Sequence, residues 1–170
     1  MAERANIMAT RNNIGKTLYV AQALPATNDA AGFEALTWVQ AKGLQVLPQL
    51  GTTHAAIDVP DLGTGFTSSV KGAGSGVESS MSFRKVVADP GQVDIEEQSV
   101  DQQGDMSVKI VTGTGADSGD GPLPVSGDVV QYAQGYAHSF TENQGDTTTH
   151  EGFTVSFKQG ANTVNATEPA

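Results

Sequence analysis

Apolar and polar residues alternate with a period of two along much of the chain, and this period predicts β-strands. In residues 77–87 the odd positions are mostly apolar and the even positions mostly polar. Such a segment places one face on a core and the other in water. Similar patterns predict further extended segments, at residues 17–21, 36–40, 44–47, 52–70, 106–112, 129–141 and 153–157.

One helix interrupts the strands, and it begins at the sequence Asp89-Pro90-Gly91-Gln92. Asp89 can cap the helix, Pro90 suits the first helical position, and Gln92 can reach back to the cap as in a capping box. Gly104 is the natural stop. The elements together predict a mainly β fold: an antiparallel β-sandwich or barrel with one flanking α-helix and a long extended hairpin.

The 170 residues are enough for one domain with a core. We expect an N-terminal arm at 1–16, a β-sandwich domain at 17–160 and a flexible C-terminal tail at 161–170. The N-terminus lacks the apolar stretch of a signal peptide, and no run of residues approaches the length of a membrane span. The sequence therefore predicts a soluble protein made in the cytoplasm, with no membrane partner.

The net charge of −10 arises from 19 acidic and 9 basic residues. Proteins that grip nucleic acid by its phosphates carry the opposite excess, so specific DNA binding is disfavoured. The chain has no cysteine. Disulfide frameworks, thiolate zinc sites and cysteine nucleophiles are thereby excluded.

The glycine stretch Lys71-Gly72-Ala73-Gly74-Ser75-Gly76 is the most conspicuous candidate for a binding loop. A Walker loop needs the lysine after the glycines, and a dinucleotide fingerprint needs a third glycine where Val77 stands. Both also require a helix next, whereas the alternation predicts a strand. We therefore expect a flexible hairpin tip, since glycine tolerates the positive φ of tight turns.

Other candidate chemistry is weaker than its structural alternative. The histidines His54, His138 and His150 stand far apart without metal-ligand spacing, and the acidic loop 113–124 lacks the further ligands of a calcium loop. The nucleophile elbow of serine hydrolases is also missing. The sequence predicts no enzyme, no catalytic or metal-binding residue and no cofactor.

A long two-stranded hairpin is marginal in water by itself. It becomes stable when copies from several subunits join edge to edge and remove the exposed edges. The predicted partner is therefore the protein itself.

Seven segments occur in a recognisable order: "IGKTLYVA", "FEALTWVQAKGLQVLPQL", "TGFTSSVKGAGSGVESSMSFRKV", "ADPGQVDIEEQ", "MSVKIV", "VVQYAQGYAHSF" and "GFTVSF". This order resembles the tail tube (major tail) proteins of long-tailed, lambda-like bacteriophages and gene transfer agents. The resemblance covers most of residues 14–160. The long loop "GTGADSGDGPLP" is a departure from it.

The resemblance implies hexameric rings that stack into the hollow tail tube of a virion, assembled from subunits made in the host bacterial cytoplasm. It implies contacts with tape measure, terminator and distal tail proteins, and an acidic lumen through which viral DNA passes without specific binding. Under the resemblance, alternation assigns the lumen face to Glu78, Ser80, Ser82, Arg84, His54 and Asp58. Contacts between rings or subunits are assigned to Lys71, Gly72, Gly74 and Gly76.

Two alternatives remain open at this point. One is another virion component, either a capsid decoration protein or a tail-terminator protein. The other is a monomeric β-sandwich that binds a ligand, which would need exposed aromatic side chains; aromatic residues make up only 6% of the chain.

Overall fold

The computed structural model describes residues 12–170, in which ten strands and two helices are found. The predicted N-terminal arm lies mostly outside the described residues. The strands are β1 (Lys16–Ala21), β2 (Val39–Ala41), β3 (Leu44–Val46), β4 (Thr52–Pro60), β5 (Thr67–Gly76), β6 (Glu78–Arg84), β7 (Met106–Thr112), β8 (Val129–Glu142), β9 (Gly152–Gln159) and β10 (Val164–Thr167). The helices are α1 (Ala30–Glu34) and α2 (Pro90–Val100).

Eight strands form one antiparallel sheet in the order β2-β1-β7-β8-β9-β6-β3, with β10 pairing β8 beyond the end of β9. Strands β2 and β3 are the two ends of this order, yet only Lys42 and Gly43 separate them in the chain. The sheet must therefore roll until its ends meet. At the seam, the Arg84 N–H donates to the Gly43 carbonyl oxygen at 2.7 Å. The predicted antiparallel sandwich or barrel is confirmed.

The interior of the roll is the main hydrophobic core. Met81 and Phe83 of β6 are fully buried in it, as the alternation of residues 77–87 predicts. Ile95 closes the core from α2, which packs against β8, β1 and β2. The other strands that contribute buried side chains are β1 with Leu18 and Val20, β7 with Val108 and Ile110, and β9 with Val155 and Phe157.

A second, smaller cluster covers the opposite face of β7 and β8. Tyr132 is fully buried and stacks on Phe33 of α1 with ring centroids 5.0 Å apart. The Trp38 indole packs on Tyr132 and donates its N–H to the Phe33 carbonyl oxygen at 2.9 Å. Helix α1 corrects the prediction of a single helix. Its five residues are too few to show a helical period, and the Asp29 cap and the packing of Phe33 define it instead.

Helix α2 begins where the sequence predicts. The Asp89 carboxylate accepts the Gln92 N–H at 3.0 Å, and Pro90 occupies the first turn. The predicted capping box is wrong, because the Gln92 side-chain oxygen accepts the Val86 N–H at 3.1 Å in place of the Asp89 N–H. The amide nitrogen of the same side chain donates to the carbonyl oxygens of Lys42 (2.7 Å) and Arg84 (2.8 Å). Gln92 thus ties the helix to the seam of the roll. The helix ends at Val100, before Gly104.

The C-terminal residues belong to the sheet, and this corrects the expected flexible tail at 161–170. Strand β10 pairs with the first residues of β8, and β9 pairs with the later residues of the same strand. The two strands therefore follow one another along one edge of β8. Glu168 follows β10 and accepts a hydrogen bond from the buried Lys109 ammonium at 2.7 Å. Lys109 also lies over the Tyr19 ring. Within residues 12–170, neither helix is long and apolar enough to cross a membrane.

Candidate assembly surface

The hairpin formed by β4 and β5 stands apart from the rolled sheet. The two strands pair only with each other, and every residue of β4 is exposed. Nine extended residues give β4 a length of about 30 Å. The hairpin is anchored at its base, where the Gly51 N–H donates to the Gln159 side-chain oxygen (2.9 Å) and the Thr52 hydroxyl donates to Asn162 (3.0 Å).

The turn of the hairpin lies at residues 61–66, so the predicted tip at Lys71–Gly76 is wrong. Asp61 accepts the Gly63 N–H at 2.7 Å and the Gly65 N–H donates to the Asp61 carbonyl oxygen at 2.9 Å. Gly65 is the hairpin glycine with a positive φ, at 64°. Pro60 and Asp61, and Gly63-Thr64-Gly65 after Leu62, are turn signals, and they determine where the chain reverses.

The glycines of the Lys71–Gly76 stretch instead lie within β5, where they make room for neighbours. Gly72 falls at a bulge, since two residues of β5 stand opposite one residue of β4. A Cβ at Gly72 would come within 3.1 Å of the Ile57 side chain. A Cβ at Gly76 would collide with the Gln159 carbonyl oxygen at 2.1 Å. These glycines therefore allow neighbouring groups to approach the β5 backbone closely, and they do not form a turn.

The register of the hairpin gives it one apolar and one polar face, because directly paired residues point to the same side of a sheet. Ile57 pairs with Val70 and Val59 pairs with Ser68, which makes the odd face of β4 apolar. Asp58 pairs with Ser69 on the other face. The apolar side chains are far from covered: Ile57 is 53% exposed and Val70 is 55% exposed. At the tip Phe66 is 73% exposed and Leu62 is fully exposed.

The polar face of the hairpin continues onto the outer face of the roll. Strand β6 follows β5 after Val77, whose N–H donates to the Gly51 carbonyl oxygen at 3.0 Å. Alternation therefore carries the face of Thr52 and Gly76 on to Glu78. The six residues predicted to face a lumen all lie on this polar face: His54 and Asp58 on the hairpin, and Glu78, Ser80, Ser82 and Arg84 on β6. A role in lining a lumen stays a prediction.

Two more strands, β9 and β8, extend the predicted face, and the sequence pattern of residues 152–159 indicates the first of them. Ser80 pairs with Ser156 and Ser82 with Thr154 across β6 and β9, and His138 of β8 pairs with Ser156. The alternation of β9 is as regular as that of β6, so its polar residues were recoverable from the sequence. The order β8-β9-β6 could not be predicted from the sequence, because it depends on which strands pair.

The polar face carries balanced charge, and the acidic lumen stays a prediction. Asp58 and Glu78 are its carboxylates, while Lys71, Arg84 and Lys158 are its cations. Lys158 stands directly opposite Glu78 in the register. The acidic surplus of the chain lies elsewhere, including the exposed side of α2.

Two titratable groups, Glu78 and Asp128, show how local contacts hold a charge in the described part of the chain. The Glu78 carboxylate lies 3.4 Å from the His138 Nε2, and the His138 Nδ1 contacts the Ser139 hydroxyl at 2.7 Å. Hydrogen bonds from Thr114, first from its hydroxyl, and from the Val125 N–H hold the pKa of Asp128 below its usual value. Among residues 12–170, no three histidine, aspartate or glutamate side chains are placed to hold a metal ion.

Known proteins resemble this chain in fold and hardly at all in sequence. No family model matches the sequence, and no curated protein matches it. Solved structures do match. A chain of the PVC sheath-tube complex, from an extracellular contractile injection system in its extended state, has a TM-score of 0.59 at 9% identity, with 95% of each chain covered.

Two further solved structures extend the comparison. The tail tube of SPP1 matches with a TM-score of 0.59 at 12% identity, over 92% of this chain and 78% of that one. The tube terminating cap of the anti-feeding prophage matches with a TM-score of 0.53 at 14% identity, over 99% of this chain and 100% of that one. The protein therefore has the fold found in the tubes of phage tails and contractile injection systems.

Proposed function

We propose that the protein is a non-enzymatic structural subunit of a phage tail tube, in which copies join into rings and the rings stack into a hollow tube. The observation that carries this proposal is the hairpin. An isolated two-stranded sheet with Ile57, Val70 and Phe66 in water is unstable alone and demands a partner surface. Similarity in fold to tube proteins supports a second copy as that partner.

In the proposed assembly, the hairpins and β6 strands of neighbouring copies line the lumen. The apolar face of each hairpin packs on its neighbours, which leaves the polar face, with Glu78, Ser80, Ser82 and Arg84, toward the channel. His54 and Asp58 extend this lining along the hairpin. The stretch containing Lys71, Gly72, Gly74 and Gly76 lies in a strand, so its proposed contact is between neighbouring subunits along that strand.

The proposal also includes the number of copies in a ring, the molecule that passes through the tube and the particle to which the tube belongs. Six copies form each ring, and the tube belongs to a virion tail through which viral DNA leaves. Tape measure, terminator and distal tail proteins are the proposed partners at its lumen and ends. With two carboxylates against three cations per copy on the polar face, the channel does not act by strong repulsion of DNA.

Electron microscopy of concentrated purified protein tests the proposal directly. We expect rings or stacked tubes, and we expect Ile57→Asp to abolish them because a charge would be buried between copies. Ala56→Asp is the matched control, since it adds the same charge to the adjacent residue on the polar face. Its assemblies should persist.

Compact monomers of the wild type at high concentration, with a protected hairpin, would contradict the proposal. So would equal loss of assembly in Ile57→Asp and Ala56→Asp, because the apolar face would then have no special part in the contact.

A second candidate function is a cap that ends a tube, favoured by the similarity to the tube terminating cap of the anti-feeding prophage. The same micrographs separate the two functions. A cap forms single rings that do not stack, whereas a tube subunit forms stacks of varying length.

A further inference from the structure

The tip of the hairpin, residues 61–66, presents two large apolar side chains to solvent. Leu62 is fully exposed and Phe66 is 73% exposed. Hydrogen bonds within the turn hold its shape, because the Asp61 carboxylate accepts the Gly63 N–H at 2.7 Å and the Asp61 N–H donates to the Phe66 carbonyl oxygen at 3.1 Å. Apolar side chains in this position gain free energy from a surface that buries them.

A hollow of about 540 Å³ opens on the roll between the start of β1 and β3. Its apolar lining includes Ile14, which is 85% exposed, and Val46, which is 52% exposed. Leu44 and Leu47 also line it and pack against the main core. The volume falls within the range of about 300–1,000 Å³ that is typical of binding pockets. The hollow therefore has both the size and the apolar lining to receive large apolar side chains.

Charge distinguishes this hollow from two other hollows on the surface. In the described part of the chain, Lys16 is the one charged residue that lines it. The groove between α2 and the segment that joins β8 to β9 is instead lined by three glutamates around a single lysine. The hollow at residues 99–105 contains two aspartates. The hollow beside β3 is thus the one of the three that favours an anionic occupant.

The hairpin tip carries a negative charge. Asp61 is the only charged residue within residues 59–70. Hydrogen bonds from the Gly63 N–H and then from Thr64 lower the pKa of Asp61, so its carboxylate is ionised at neutral pH. Attraction to Lys16 therefore favours the hollow beside β3, and repulsion disfavours the two hollows lined by carboxylates.

The tip and the hollow lie at opposite ends of one path of strands. From the tip, β5 runs to the base of the hairpin and β6 continues to Arg84. The hollow flanks the far end of β6, where Val46 pairs with Ser82. Every residue of β4 is exposed, so the hairpin does not fold back over the roll. A contact between tip and hollow therefore joins two copies head to tail, and contacts of this kind repeat into open stacks when they do not close into a ring.

We propose that the hairpin tip of one copy docks in the hollow of a copy in the next ring. Leu62 and Phe66 pack on the apolar lining around Val46, and the Asp61 carboxylate faces the Lys16 ammonium. This inference rests on the proposed function and names the contact that stacks the rings. A single tip buries far less than the roughly 1,200–2,000 Å² of a stable interface. All the tips of a ring engage together, however, and multivalency makes the stack stable.

Disulfide formation between copies tests the inference, because the protein has no cysteine of its own. Leu62→Cys is mixed with Val46→Cys in the test sample and with Val93→Cys in the control, and each mixture is oxidised mildly after assembly. Val46 and Val93 are similarly exposed, at 52% and 45%, but Val93 lies in the glutamate-lined groove. Peptide mass spectrometry identifies the mixed dimers. We expect them to form at least about tenfold faster with Val46→Cys, because docking raises the effective concentration of the thiols.

Electron microscopy provides the second arm of the test. Leu62→Ser should leave the rings intact and abolish or shorten the stacks. Leu24→Ser is the matched control, since Leu24 is also an exposed leucine, at 42%, and it follows the end of β1 that lies away from the hollow. Its stacks should persist. Because Leu62 is fully exposed in the single subunit, its replacement leaves the fold nearly unchanged, and a loss of stacking reports on the contact.

Equal rates of disulfide formation for Val46→Cys and Val93→Cys in assembled rings would overturn the inference and leave the proposed function standing. Intact stacks of Leu62→Ser would overturn it as well. So would the loss of its rings together with its stacks, because the tip would then act within a ring. A wild type that forms no rings would contradict the proposed function, and the inference with it.

Discussion

The rolled sheet and the hairpin are built from the same alternation of apolar and polar residues, but they differ in what covers the apolar face. In β6, Met81 and Phe83 are fully buried in the main core, which Ile95 of α2 also joins. In the hairpin, the equivalent face presents Ile57 and Val70 more than half exposed. Strand β6 follows β5 in the chain, and the apolar face is thus covered along β6 but left exposed along β5. The difference separates residues that stabilise the monomer from residues that remain available for contact with a neighbouring molecule.

The largest expected effect sets a core residue against a hairpin residue. Phe157→Ala removes a fully buried ring and should lower the free energy of unfolding by about 3–5 kcal/mol. Ile57→Ala, at a half-exposed site, should change it by less than about 0.5 kcal/mol in the monomer. Urea titrations of dilute protein measure both. Comparable losses would mean that the hairpin is already packed in the free subunit.

The next effect concerns the C-terminal residues. Lys109→Met leaves the mostly buried Glu168 carboxylate without its ammonium and should cost about 3 kcal/mol. Lys158→Met, which removes a half-buried lysine without an ion pair in the described residues from the polar face, is the control and should be nearly neutral. Thermal or urea unfolding provides the measurement. If Lys109→Met leaves the free energy of unfolding unchanged, the segment after β9 does not unfold cooperatively with the rest of the domain.

A smaller effect depends on pH. The folded-state pKa of Asp128 is lowered by its hydrogen bonds from the Thr114 hydroxyl, the Val125 N–H and the Thr114 N–H. Its carboxylate therefore stabilises the fold above the unfolded pKa of about 3.9, and this contribution is lost as the pH falls through the lower folded value. Asp128→Asn should be less stable than the wild type at neutral pH, and the gap should narrow in acid. Urea midpoints between neutral pH and acid would show this, and a constant gap would contradict it.

Much of the body could be predicted from the sequence, because its signals are local. Strand β7 has the predicted bounds, and α2 begins at its Asp89 cap as expected. Alternation in β6 correctly separates the buried Met81 and Phe83 from the exposed Glu78, Ser80 and Arg84 and the half-buried Ser82. The order of strands and the closure of the roll at Gly43 depend on contacts between distant residues, which no local pattern encodes.

The hairpin shows where local signals were misread. Three glycines at alternate positions suggested a tip, but they lie in a strand beside Ile57, His54 and the Gln159 backbone. The true turn has its own signals, Pro60 and Asp61 before Gly-Thr-Gly. Helix α1 and strand β10 escaped prediction for another reason, since tertiary packing of short segments defines both.

Hydrogen exchange of the β4–β5 amides, before and after assembly, tests the central claim most directly. In dilute protein we expect residues 52–76 to exchange far faster than β7, whose residues from Met106 to Val111 are all buried. In the assembled sample the same residues should become protected to a degree comparable with β7. A hairpin that is already protected in the monomer, or one that stays unprotected within assembled particles, would contradict the claim that a neighbouring copy completes it.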